Sequence, residues 1–223
     1  MQTLFITGTA PSSGKTLLIK ILAIYKQTYF CEESSGILDL IQEELDENKL
    51  PNNFLFSSPN KIKVVSRQLP RAATVTNSDD LCSNLLGKLW KTLSSLQKEL
   101  DLVLIDGAES LSSPITREML ISDIVGIWDL PTILIVPIES NTINQAIANI
   151  ALAVKNKVNL KGIVLNCTSP LVQERISQLA PIDLIQSLTN IPVLGILPYI
   201  KDIEDAKELL SAASSIDLES LFY

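Results

Sequence analysis

The sequence predicts a doubly wound, mostly parallel α/β sheet with helices on both faces. Three observations carry that prediction. A glycine-bounded loop, Gly8 to Gly14, leads from the apolar run Leu4–Ile6 into Lys15-Thr16 and a segment of helical periodicity. Four later runs are continuously apolar rather than alternating, as in parallel strands buried on both faces. Segments with helical spacing separate those runs, which is the pattern of βα units.

In chain order, Leu4–Ile6 reads as a buried strand, and Lys15 to about Tyr25 as a helix whose core face is Leu17, Leu18, Ile21, Leu22 and Ile24. Tyr29–Cys31 reads as a short second strand. Ile37–Leu45 has helical spacing with acids on the other face. Asn48–Asn60 is rich in Asn, Pro and Ser and reads as a loop, and Ile62–Val65 as a strand or extended segment. Pro70–Ser78 carries no clear signal. The caps in Asn77–Asp80 start a helix from about Leu81 to Glu99. Leu102–Ile105 is a buried strand, followed by a helix around Met119–Ile121 and Ile124–Trp128. Pro131–Pro137 is the next strand and Thr142–Lys155 an amphipathic helix. Leu160–Asn166 is a strand, and Pro170–Leu188 is helical with a break at Pro181. Ile191–Pro198 is the last strand, before a helix over about Ile203–Ala213. No linker or repeat interrupts the pattern, so residues 1–223 form one domain.

Composition narrows the function. The chain has 223 residues, 46% of them hydrophobic and only 5% aromatic, so its core is aliphatic. A net charge of −7 and the lack of a basic stripe argue against nucleic-acid binding. Cys31, Cys82 and Cys167 have neither zinc-site nor disulfide-framework spacing. With no histidine, His-based catalysis and His-ligated metal are excluded. No apolar run reaches membrane-spanning length. These features predict a soluble, cytoplasmic protein without membrane partners.

The chemistry concentrates after strand ends, where ligands bind in such sheets. A glycine-bounded loop curls so that successive N–H groups face one anion, and the helix N-terminus adds open N–H groups and partial positive charge. Gly8, Thr9, Ser12, Ser13, Gly14, Lys15, Thr16 and Leu17 are therefore the candidate phosphate-binding residues. Lys15 reaches the outer phosphates, and the Thr16 hydroxyl binds magnesium. Five residues rather than the usual four separate the glycines, which puts Thr9 where a stricter motif has glycine. Asp106, followed by Gly107, ends its strand facing that loop and is the second magnesium candidate; a helix-capping Asp is the plainer reading. Asn166 offers a donor and an acceptor to an adenine edge, and Pro198-Tyr199 a wall for the base; turn residues are the plainer reading of both. Arg67 and Arg71 read as surface charges or anion ligands, and Trp90 and Trp128 as packing residues.

Together these residues resemble the dethiobiotin synthetase family of phosphate-loop NTPases. Thr3-Leu-Phe-Ile-Thr-Gly-Thr9 is similar to the family's opening, and the five-residue glycine gap is a family trait. Leu102-Val-Leu-Ile-Asp-Gly-Ala-Glu109 resembles the strand ending in Glu-Gly-Ala-Gly, whose acid binds magnesium; Asp106 takes that place. Leu130–Val136 with Thr142–Ala146 resemble the family's next strand and helix, and Lys161–Asn166 and Ile191–Pro198 its later strands. The resemblance implies ATP and Mg2+ as cofactors, 7,8-diaminopelargonic acid and CO2 as substrates, dethiobiotin, ADP and phosphate as products, and a homodimer. It implies a ligase of biotin biosynthesis with Lys15 as its catalytic cation. The family's Lys-Pro-x-x-Thr-Gly element, whose lysine serves the diamine, has no match here. Lys61 and Lys63 are possible replacements, Asp39 a possible second metal carboxylate, and Glu109 stands where the family has glycine. That departure supports an alternative: a nucleotide-binding regulatory module that keeps the fold without carboxylation.

Overall fold

The computed structural model describes residues 2–41, 62–68 and 79–222. Its elements, in order, are β1 (Gln2–Gly8), α1 (Lys15–Tyr29), β2 (Ser35–Ile41), β3 (Ile62–Gln68), α2 (Asp79–Glu99), β4 (Leu102–Asp106), α3 (Ile121–Ile127) and β5 (Thr132–Pro137). They continue with α4 (Thr142–Lys155), β6 (Leu160–Asn166), α5 (Pro170–Gln173), α6 (Ile176–Leu179), α7 (Ile182–Thr189), β7 (Val193–Leu197), α8 (Ala206–Ala213) and α9 (Glu219–Phe222). Among the described residues the strands form one seven-stranded sheet in the order β3-β2-β4-β1-β5-β6-β7. Every strand pairing in it is parallel.

Each central strand buries both faces. Leu4, Ile6, Ile37, Leu102, Leu104, Ile133, Ile135 and Val164 meet α1, α8 and α9. The alternate residues Phe5, Leu38, Val103 and Ile105 meet α2 and α3, and Leu134, Val136, Ile163 and Leu165 meet α4 and α7. This two-sided burial explains the continuous apolar runs. Trp90 and Trp128 pack as read from the sequence, with ring centroids 5.1 Å apart.

Two segments differ from expectation. Tyr29–Cys31 is no strand: α1 runs through Tyr29 and Phe30 caps it. Tyr25 stacks with Phe222, and the Lys26 ammonium lies 4.1 Å from the Phe30 ring centre and 4.5 Å from that of Phe222. Contacts with the far end of the chain thus settle the conformation there. Ile37–Leu45 is not a helix over its described part, because residues 35–41 form β2 between β3 and β4. The helical stretch after Pro170 breaks at residues 174–175 as well as at Pro181, and the last expected helix starts at Ala206. Asn48–Asn60, Pro70–Ser78, Lys61 and Arg71 lie outside the described residues.

After α8 the chain returns along β7, where Ile216 bridges Gly195 and the Asp217 N–H donates to the Leu194 carbonyl at 2.7 Å. Gly195 has φ 157°, and a Cβ there would stand 2.1 Å from the Ser215 carbonyl oxygen and 2.9 Å from the Ile216 Cα. Those neighbours are backbone and cannot swing aside. Gly195→Ala is expected to cost about 2–3 kcal/mol, read from the midpoint of urea unfolding; an unchanged midpoint would contradict this close approach.

Candidate nucleotide site

The site lies at the carboxyl ends of β2, β4, β1 and β6, where the loop from Gly8 to Gly14 joins β1 to α1. Ser12 (φ 59°) and Gly14 (φ 106°) both take left-handed conformations, which curl the loop into a concave row of N–H groups. Only glycine takes the Gly14 conformation without strain. Gly14 also caps α1 with no side chain to accept from it, and the first intrahelical bond runs from the Leu18 N–H to the Gly14 carbonyl. The N–H groups of Lys15, Thr16 and Leu17 therefore stay open at the positive end of a 15-residue helix.

Asn166 buttresses the loop from β6. Its Nδ2 donates to the Ser13 carbonyl at 2.9 Å, while its buried Oδ1 has no partner. The hydroxyls of Thr7 and Ser13 are likewise buried and unpartnered. Among the described residues, three of the four such atoms thus gather in and behind this loop, as expected of a site shaped for a polar ligand.

The acids stand on the opposite side of the loop. In the parallel register of β2 and β4, Asp39 pairs with Asp106. Each follows a residue facing α2 (Leu38, Ile105), so both carboxylates share the α1 face near its N-terminus. The Thr16 hydroxyl donates to Asp106 Oδ2 at 3.3 Å. Burial, and next the Asp39 charge, push the Asp106 carboxyl from 3.8 up to about 7, against the opposing pull of Lys15 and the Thr16 hydroxyl. Burial lowers the pKa of Lys15, countered by Asp106 and then Glu109. Glu109 is exposed at the rim. These hard oxygen donors suit magnesium, so the residues present fit that ion.

The other candidate residues are placed as follows. The Gly107 N–H donates to the Ile6 carbonyl at 2.9 Å, so Gly107 lies behind the loop against β1. Asn166 and Leu197 are register partners, which sets Pro198-Tyr199 beside Asn166. The Tyr199 ring is half-exposed, and its N–H donates to Gln173 Oε1 at 3.4 Å. Lys20, buried on α1, pairs with Glu204 in the loop that follows Tyr199. Arg67 lies in β3, two strands out from Asp106. Sequence reasoning missed two residues. Lys20 ties the loop after Tyr199 to α1 through Glu204, and Gln145 on α4 accepts from the Thr9 hydroxyl at 2.5 Å. Lys20 is one polar residue on a helix, and Gln145 falls within the Thr142–Ala146 segment, where no spacing rule points to its contact with Thr9.

Comparison with known proteins agrees with this geometry. Residues 2–207 match the family model described as "AAA domain". Among solved structures, a ParA family ATPase from Chlorobium tepidum TLS superposes with a TM-score of 0.64 at 11% identity, covering 99% of this chain and 97% of that one. The MinC:MinD complex of Aquifex aeolicus gives 0.61 at 15% identity, covering 99% and 94%. These likenesses show the fold alone. The ATP-dependent dethiobiotin synthetase BioD of Crocosphaera subtropica is 42% identical over 222 residues, spanning 100% of both chains. Its counterpart from Gloeothece citriformis is 40% identical over 223 residues, spanning 99% of both. With that identity sustained from end to end, the chain belongs to the dethiobiotin synthetase family.

Proposed function

We propose that the protein is an ATP-dependent dethiobiotin synthetase that joins CO2 to 7,8-diaminopelargonic acid and closes the cyclic urea. The observation that carries this is the open helix N-terminus of Lys15–Leu17 beside the Asp39–Asp106 pair, in a chain 42% identical throughout to a BioD enzyme. One amine adds to CO2, losing a proton, and forms a carbamate. The carbamate oxygen attacks the γ-phosphorus and ADP leaves. The second amine attacks the carbonyl of the mixed anhydride, phosphate leaves and the ring closes.

The protein positions reactants and stabilises charge. The loop N–H groups and Lys15 hold the outer phosphates, and Lys15 offsets charge on the transferring phosphoryl group. Asn166, through Oδ1, accepts from the adenine amino group while Nδ2 keeps the loop in place. Pro198 and Tyr199 wall the base. Thr16 and Asp106, with Asp39 as the second carboxylate, would hold magnesium, which supplies positive charge to the phosphate oxygens.

The strand order supports this direction of binding, with the base over β6 and β7, phosphates over β1, and the diamine beyond Asp106 over β2. We place the protein in the cytoplasm as a homodimer. The exposed apolar residues Ile147, Ala151 and Val154 on α4 support a second copy as its partner. Sedimentation at micromolar concentration is expected to give twice the chain mass; a single-chain mass would contradict the dimer.

The deciding experiment follows dethiobiotin by mass and ADP by a coupled assay, with MgATP, bicarbonate and the diamine. Product from the wild type establishes the enzyme. Nucleotide binding without product favours the regulatory reading, which the second strand itself motivates, since β2 carries Asp39 and no lysine.

A further inference from the structure

The phosphate loop is held by side chains at two points. Asn166 Nδ2 grips its second half through the Ser13 carbonyl. Its first half is gripped through Thr9, whose hydroxyl donates to Gln145 Oε1 at 2.5 Å. Gln145 is itself fixed, because its Nε2 donates to Asn141 Oδ1 at 3.0 Å and its backbone N–H to the Asn141 carbonyl at 2.9 Å. A relay of side-chain hydrogen bonds therefore runs from the loop to the first turn of α4. Between the two grips stand Ala10, Pro11 and Ser12, with Pro11 and Ser12 exposed and Ser12 left-handed. A loop with five residues between its glycines, anchored only at Ser13, would have to be ordered by its ligand, and that ordering lowers affinity.

We infer that Gln145 is a positioning residue that sets the affinity for the nucleotide's phosphates by holding Thr9, and with it the loop, in the binding conformation before the ligand arrives. The inference rests on the nucleotide-binding reading above, not on the identity of the second substrate. It assigns the α4 face that meets the loop a role in ATP binding and none in the chemical step.

The test is titration calorimetry of MgATP into the full chain, with steady-state kinetics alongside. Gln145→Leu is expected to weaken MgATP binding about fivefold, the loss of one neutral hydrogen bond. KM for MgATP should rise by the same factor while kcat at saturation stays within twofold. Thr9→Val should weaken MgATP binding by a similar factor, and the double variant should be no weaker than either single one. Unchanged affinity in Gln145→Leu, or losses that add in the double variant, would overturn the inference. If Gln145→Leu fails to fold, Gln145→Asn, whose amide is one methylene too short to keep the Thr9 bond, decides it alone: wild-type affinity overturns the inference. A wild type that binds no MgATP overturns the nucleotide reading itself, and this inference with it.

Discussion

Lys15→Ala is expected to lower the rate of ATP-dependent dethiobiotin formation by about 10²–10³-fold, the usual cost of removing one preorganised group that faces developing charge. Lys15 is the first residue of α1, with its ammonium drawn on by Asp106 and Glu109. Its burial disfavours the charged form, and the two acids offset that. Replacing it removes the cation and leaves those acids facing a polyphosphate. The fall should therefore appear in kcat as well as in KM for MgATP, because the charge that moves during phosphoryl transfer is the one left uncompensated. Folding of the unliganded protein should change little, because the cost of burying the ammonium opposes its attraction to Asp106 and Glu109. Product formation within tenfold of wild type would remove Lys15 from the mechanism.

Asp106→Asn is expected to have opposite effects on activity and on stability. Activity should fall about 10²-fold, because the amide is a poor magnesium ligand. The unliganded variant should nevertheless be more stable than wild type at pH 8. Burial and Asp39 raise the Asp106 pKa from 3.8 to about 7 in the folded protein. Between those values the folded state holds a proton that the unfolded state has released, so wild-type stability is fully present below about pH 4 and falls as pH rises through 7. The asparagine side chain cannot ionise and escapes that loss. The gain at pH 8 should reach up to about 4 kcal/mol and shrink to nothing near pH 4. Urea unfolding at both pH values without magnesium checks it; equal stabilities at pH 8 would mean that neither burial nor the Asp39 charge penalises the ionised Asp106 carboxylate.

The phosphate loop was legible because its chemistry demands residue types in sequence. Gly14, Lys15 and Thr16 are adjacent, and the strand before them and helix after them show their own periodicity. The later strands were equally readable, since burial on both faces leaves a run such as Leu102–Ile105 with no polar residue. The second strand was not. Ile37, Leu38, Leu40 and Ile41 fit helical spacing as well as extended chain, and Asp39 interrupts the apolar run for a reason that exists only once β4 lies alongside. Its partnership with Asp106 links residues far apart in sequence through sheet register. Gln145 was invisible for the same reason, because its hydrogen bond to Thr9 spans 136 positions and follows no spacing rule. The end of α1 misled in a different way: Tyr29 and Phe30 have strand propensity, but the Tyr25 and Lys26 side chains just before them pack on the Phe222 ring from α9.

The return of the chain along β7 limits how copies of this protein can associate. A bare border strand is a template for any passing extended segment, and parallel sheets that fold slowly are exposed to such templating. Here residues 216–217 occupy hydrogen-bonding groups of Leu194 and Gly195. Copies are thereby hindered from fusing into a continuous ribbon through that border, and helix faces are left as the natural place for association. Shortening the chain before Ile216 should do more than loosen a terminus. It should convert a self-limiting particle into one prone to open-ended polymerisation.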